Sequence, residues 1–254
     1  MMVDLTGKHA VVTGGGSGAG AAIAVALADA GAVVTVMGRR MEPLMALADQ
    51  HANIHCQAAD VTDMDSLFAA FDAASADHGP AGIVIANAGA AESAPFHRMD
   101  MELWNRMLSV NLTGTYLTAQ AGYEDMKGLG WGRIIAIAST AGLRGYPYVS
   151  GYSAAKHGVV GLVKSLALEA AKTGITVNAV CPGFMETPML DESIRNIMEK
   201  TGRSEEEARK SLVKDNPQGR FIQVQEVADM VLWLCGEGAA SVTGQALSLS
   251  GGEI

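Results

Sequence analysis

Tyr152 and Lys156 put a phenol and an ammonium four residues apart. On a helix, residues i and i+4 share a face, so the two side chains are directed to one place. A free tyrosine titrates at about 10 and stays protonated at neutral pH, and a neighbouring cation favours the phenolate and lowers that value. The pair therefore suits general acid–base chemistry. A second patch, Gly14-Gly15-Gly16-Ser17-Gly18-Ala19-Gly20, offers exposed backbone N–H groups at the start of a helical pattern, a cradle for a pyrophosphate. A third is Gly38-Arg39-Arg40, where Arg39 can grip a phosphate through two parallel hydrogen bonds. Each has a plainer reading: a solvated Tyr and Lys on an amphipathic helix, a structural glycine turn, two loop arginines.

The elements that must position these groups alternate between strand and helix. Residues 8–13 read as a short apolar strand, 21–30 as an alanine-rich helix closed by Gly31, and 32–37 as a second strand. This is a βαβ unit with a glycine-rich first turn, spaced Gly14-x-x-x-Gly18-x-Gly20 rather than G-x-G-x-x-G. An acid at the end of the second strand would bind the ribose 2′-hydroxyl of NAD; Arg39 stands there instead and favours the 2′-phosphate of NADP(H), with NAD(H) left open. Further strands are expected at 54–58, 82–86, 134–138, 175–180 and 242–249. Helices are expected after a cap at Asp63 or Thr62 and after Asp100, the second running from Leu103 past Asn111 to Tyr116, and around Tyr152. Apolar strands separated by helices predict an α/β fold, a doubly wound Rossmann-type parallel sheet covered on both faces. No break in composition divides residues 1–254, which read as one domain.

Bulk composition narrows the function. With 49% hydrophobic and 18% charged residues the chain can bury a large core. A net charge of −9 excludes a general nucleic-acid binder. No apolar run is long enough to span a bilayer, and the N-terminus reads as the approach to a strand, not a signal peptide. Cys56, Cys181 and Cys235 have no metal-ligand spacing, so no metal site is expected, and so sparse and odd a set suits a reducing cytoplasm.

Taken in order, Thr13-Gly14-Gly15-Gly16-Ser17-Gly18-Ala19-Gly20, Asn87-Ala88-Gly89, Asn111, Ser139, Tyr152-x-x-x-Lys156 and Pro182-Gly183 resemble the short-chain dehydrogenase/reductase family over nearly the whole chain. Ala19, usually a bulkier apolar residue, and Ala86, often a second asparagine, are the departures. The resemblance implies an NAD(P)-dependent enzyme that interconverts a ketone and a secondary alcohol. It implies Tyr152 as proton donor or acceptor, Ser139 as the hydrogen-bonding partner of the substrate oxygen, and Lys156 as the cation that lowers the Tyr152 pKa and holds the nicotinamide ribose. Asn111 would support a proton relay to Lys156. Gly14, Gly16, Ser17, Gly18 and Ala19 would meet the pyrophosphate side of the cofactor, Asp60 and Val61 its adenine. Asn87 and Gly89 would line the cleft, and Pro182, Gly183 and Thr187 would lie at the nicotinamide end. The family also implies a homotetramer.

The substrate is marked less sharply. Leu143 to Tyr148 should shape one wall, and a lid insertion at about 185–219 another, with Met185, Met189, Leu190 and Met198 as an apolar lining or as packing of the lid onto the body. The lid carries charges of both signs, which suits a solvated helix surface better than a phosphate-binding patch. The stretch 178–189 and the ending Gly244 to Gly252 are most similar to the branch of 3-oxoacyl thioester reductases, polyketide ketoreductases and 3-hydroxyacyl-CoA dehydrogenases. The expected substrate is a 3-oxoacyl thioester or related β-keto compound. The alternatives are another secondary alcohol (a sugar alcohol, cyclic alcohol or steroid) and a non-catalytic nucleotide-binding protein, against which the intact Ser139, Tyr152, Lys156 and Asn111 argue.

Overall fold

Seven parallel strands form one sheet in a computed structural model that describes residues 3–254. They are β1 (His9–Thr13), β2 (Val33–Gly38), β3 (Ile54–Ala58), β4 (Ala81–Ala86), β5 (Gly132–Ile137), β6 (Ile175–Pro182) and β7 (Ala246–Leu249), in the order β3-β2-β1-β4-β5-β6-β7. Strand β1 lies between β2 and β4, so the chain leaves it on one side and returns on the other. That reversal opens a crevice beyond the C-terminal strand ends, where the glycine-rich turn, Asn87-Ala88-Gly89 and Ser139 all fall.

The pleat sorts the strand residues to two cores. Ala10, Val12, Ile83, Ile85, Ile135 and Ile137 face helices α1 (Gly18–Asp29) and α9 (Val224–Cys235). Val11, Val84, Ile134 and Ala136 face α3 (Met64–His78), α5 (Gly114–Leu129) and α6 (Ser150–Ala170). Burial on both faces explains why these strands are continuously apolar rather than alternating. Two caps expected from sequence are present: Asp63 accepts from the Ser66 amide at the start of α3, and Asp100 from the Leu103 amide at the start of α4 (Met101–Leu108).

Three elements differ from expectation. The first helix begins at Gly18, not Ala21, so its N-terminal amides come from the glycine-rich turn itself. The helix expected from Leu103 through Tyr116 is interrupted by a π turn, Ser109–Thr113, between α4 and α5. The last strand is only Ala246–Leu249, because Gly244 adopts a φ of 71° and Thr243 bonds the Val177 amide through its side chain instead of a ladder. Beyond β6, α7 (Pro188–Thr201) and α8 (Glu205–Val213) pack on each other through a small core of Leu190, Ile194, Ala208 and Phe221.

Candidate active site

The glycine-rich turn is fixed from the neighbouring strand. Asn87, just past β4, donates through Nδ2 to the carbonyls of Thr13 and Gly14, each at 3.1 Å. Gly14 has a φ of 65°, and a Cβ there would lie 2.8 Å from Ala88 Cα. A Cβ on Gly20 would collide with the Gly14 carbonyl. The turn thus keeps its backbone bare and folded tightly against β4, as a diphosphate cradle requires.

A cleft of about 320 Å³ runs from this turn in both directions. Gly14, Gly16, Ser17, Gly18 and Ala19 form its floor. One end is walled by Arg39, Asp60 and Val61, the other by Asn87, Gly89, Asn111, Tyr152, Lys156 and Thr187. Gly18 and Thr187 face each other across it, since a Cβ on Gly18 would lie 3.2 Å from Thr187 Cγ2. Pro182 and Gly183 do not line the cleft; Pro182 ends β6 and Gly183 is bonded to the Leu249 carbonyl at 2.9 Å. Their part is to turn the chain toward Thr187. Arg40, not selected from sequence, is on the wall beside Arg39, and both are exposed. The tandem arginine was the signal that could have found it.

Asp60 faces Arg39 at this end. Burial opposes ionisation of Asp60, but bonds from the Thr62 amide (2.9 Å) and hydroxyl (2.7 Å), with the positive charge of Arg39, hold its carboxyl below the ordinary value. Thr62 thereby engages one oxygen of this carboxylate, Oδ1.

At the other end, Tyr152 and Lys156 lie on one face of α6, as their spacing predicts. Lys156 is buried, with 4% of its surface exposed, and donates to the Ile137 carbonyl at the end of β5 at 2.8 Å. Its ammonium is 5.7 Å from the Tyr152 ring centre, so the two heads are neighbours without sharing a hydrogen bond. Burial is the largest influence on both. It pushes Lys156 down to about 8 and raises the Tyr152 phenol, while a hydrogen bond with Ser139 pulls the phenol the other way. Burial is thus the dominant influence on the Tyr152 phenol, and the Ser139 hydrogen bond opposes it. Ser139 caps the short turn Thr140–Gly142, its oxygen accepting from the Ala141 amide at 3.1 Å.

Asn111 sits in the π turn, fully buried. Its Nδ2 donates to the carbonyls of Ala90 (2.8 Å) and Met107 (3.0 Å), and its Oδ1 accepts from the Ala90 amide (3.2 Å). A Cβ on Gly89 would stand 2.9 Å from Asn111 Oδ1 and 3.7 Å from Lys156 Nζ. Gly89 is thus the gap across which Asn111 and Lys156 face each other. Such π turns recur at functional sites because they re-aim helix groups.

Lys156 gives a pH-dependent expectation. Its proton is lost in the native state from about 8, whereas the unfolded chain holds it to about 10.5. In that window the unfolded state binds more protons, so stability rises with pH. At about 1.4 kcal/mol per tenfold in proton affinity, wild type should gain on the order of 3 kcal/mol relative to Lys156→Met across the window. Urea midpoints near the two ends check this, and parallel pH profiles for the two proteins would contradict it.

The comparisons agree with this geometry. A family model for short chain dehydrogenases matches residues 8–197. The chain belongs to the short chain dehydrogenase family and is an NAD(P)-dependent oxidoreductase of that family. It is 37% identical to the 3-oxoacyl-(acyl-carrier-protein) reductase of Aquifex aeolicus over 99% of both chains. It is 36% identical to the D-beta-hydroxybutyrate dehydrogenase of Cupriavidus necator over 98% of this chain and 99% of that one. Among solved structures, a variant of actinorhodin polyketide ketoreductase crystallised with NADPH superposes with a TM-score of 0.94 at 38% identity, covering 100% of this chain and 99% of the other.

Proposed function

We propose that this enzyme reduces a 3-oxoacyl thioester, or a related β-keto compound, to the 3-hydroxy product with NADPH. The observation that carries the cofactor choice is the pair Arg39 and Arg40 at the end of β2, with the one nearby acid, Asp60, already bonded to Thr62. The bare glycine turn fits a diphosphate, and the arginines fit a 2′-phosphate. When bound, the nicotinamide supplies the hydride. Tyr152 gives the proton to the carbonyl oxygen, which it and Ser139 hold from the strand-end side. Lys156, anchored on Ile137, orients the ribose and keeps positive charge beside Tyr152 through neutral pH. Asn111 supports a water-linked relay that returns a proton toward Lys156 past Gly89. Residues 185–219, with their own small core, act as the lid over the substrate.

Turnover of acetoacetyl-CoA with NADPH, set against cyclic ketones and sugar alcohols, tests this. A preference for the latter would replace the β-keto substrate with the second reading, a dehydrogenase of another secondary alcohol. We further infer a cytoplasmic homotetramer. Among the described residues no helix is long and apolar enough to cross a membrane, and Tyr116 on α5 and Leu168 on α6 are left 45% and 81% exposed, as helices awaiting a second copy would be. A concentration-independent monomer by light scattering would contradict the assembly.

A further inference from the structure

The chain's last residues reach back to the loop that carries Ser139. Glu253 has a side chain only 5% exposed, uncommon for a carboxylate. Tyr146 donates its phenolic proton to Glu253 Oε1 in a short hydrogen bond. The Tyr146 oxygen is also 2.8 Å from Thr140 Oγ1; with the phenol proton on the carboxylate, Thr140 supplies the proton of that second bond. Arg144 approaches the same carboxylate at 3.5 Å, stacks over the Tyr146 ring at 4.8 Å, and faces Asp215, just after α8, at 3.9 Å.

Two glycines make the approach. Gly251 and Gly252 have φ of 63° and 94°, which L side chains rarely adopt, and a Cβ on Gly251 would overlap the Asn216 side chain. The tail therefore curls around Asn216 and Pro217, behind the lid, and delivers Glu253 beneath Tyr146. Thr140 follows Ser139 directly, and its carbonyl accepts from the amides of Leu143 (2.9 Å) and Arg144 (3.0 Å). The carboxylate holds the loop 143–148 directly, and through Tyr146 and Arg144 links it to the turn after Ser139 and to Asp215 in the last part of the lid.

We propose that Glu253 is a positioning residue for substrate, a buried carboxylate that holds the turn beginning at Ser139 and the loop 143–148 in register with the lid. The proposal rests on the oxidoreductase reading for its kinetic consequence, though not for its structural one. Removing this carboxylate leaves the half-buried Tyr146 phenol without its acceptor and Arg144 without its charge partner. Small displacement of groups that shape the substrate wall weakens productive substrate binding while leaving a remote cofactor site intact.

The test compares Glu253→Ala and Glu253→Gln with wild type in three readouts: kinetics with acetoacetyl-CoA, NADPH affinity by fluorescence, and amide hydrogen exchange of residues 140–148. Glu253→Ala should lower kcat/KM about tenfold, chiefly through KM, with NADPH affinity within about twofold and faster exchange in that segment. Glu253→Gln keeps an acceptor for Tyr146 but not the charge facing Arg144, and should fall between. Tyr146→Phe in the Glu253→Ala background should cost less than in wild type, since the Tyr146–Glu253 bond is already gone and only the Thr140 bond is left to lose. Unchanged KM and exchange would overturn the proposal. So would a loss of NADPH affinity in step with KM, which would mark general destabilisation. If wild type turns over no β-keto compound, the substrate reading fails separately, and the exchange comparison alone decides: equal exchange in Glu253→Ala and wild type rejects the brace.

Discussion

Replacing Tyr152 with phenylalanine is expected to lower ketone reduction at least about a hundredfold, the usual contribution of a positioned general acid. The substitution removes one oxygen and leaves the ring on α6, so the fold should be retained. The phenol is desolvated and bonded to Ser139, and it lies with Lys156 at one end of the cleft. NADPH affinity should stay within about threefold, because the cradle at Gly14 to Gly20 and the arginines at the far end are untouched. Steady-state rates and cofactor titration on the same preparation separate the two effects. Turnover that survives the change would remove Tyr152 from the chemistry.

The second large effect is expected at the other end. Arg39→Ala together with Arg40→Ala should weaken NADPH binding about a hundredfold and leave NADH within about threefold. Hydrogen bonds between a guanidinium and a phosphate are charge-assisted, at about 1.5–3 kcal/mol each, and only NADPH carries the 2′-phosphate. Fluorescence titration with both cofactors reads the outcome. Equal affinities in wild type, unchanged by the substitutions, would make both arginines bystanders and favour an oxidative, NAD-linked role.

The parts of the site legible in the sequence are those written in local spacing. Tyr152 and Lys156 share a helix face because they are four residues apart, and the glycines of the first βα turn are contiguous. The order of apolar strands gave the parallel sheet, since β1, β4, β5 and β6 are buried on both faces. What was not legible depends on contacts between distant residues. Lys156 spends its ammonium on Ile137, 19 residues away, and so does not bond the phenol as spacing alone suggests. Asn111 reads as one more residue of a long helix until Ala90 claims its side chain and the helix opens into a π turn. Asn87 does more than line a cleft: it holds the glycine turn, 73 residues earlier. Glu253 and Tyr146 are 107 residues apart, and no periodicity joins them.

The most direct measurement follows the hydride itself. Acetoacetyl-CoA is incubated with enzyme and NADPH deuterated at the transferable position of the nicotinamide, and the product is analysed by mass spectrometry. The proposed reaction places one deuterium on the carbinol carbon of a 3-hydroxyacyl product, with Tyr152→Phe yielding little or none. A product without deuterium, or no product while other secondary alcohols are oxidised readily, would contradict it.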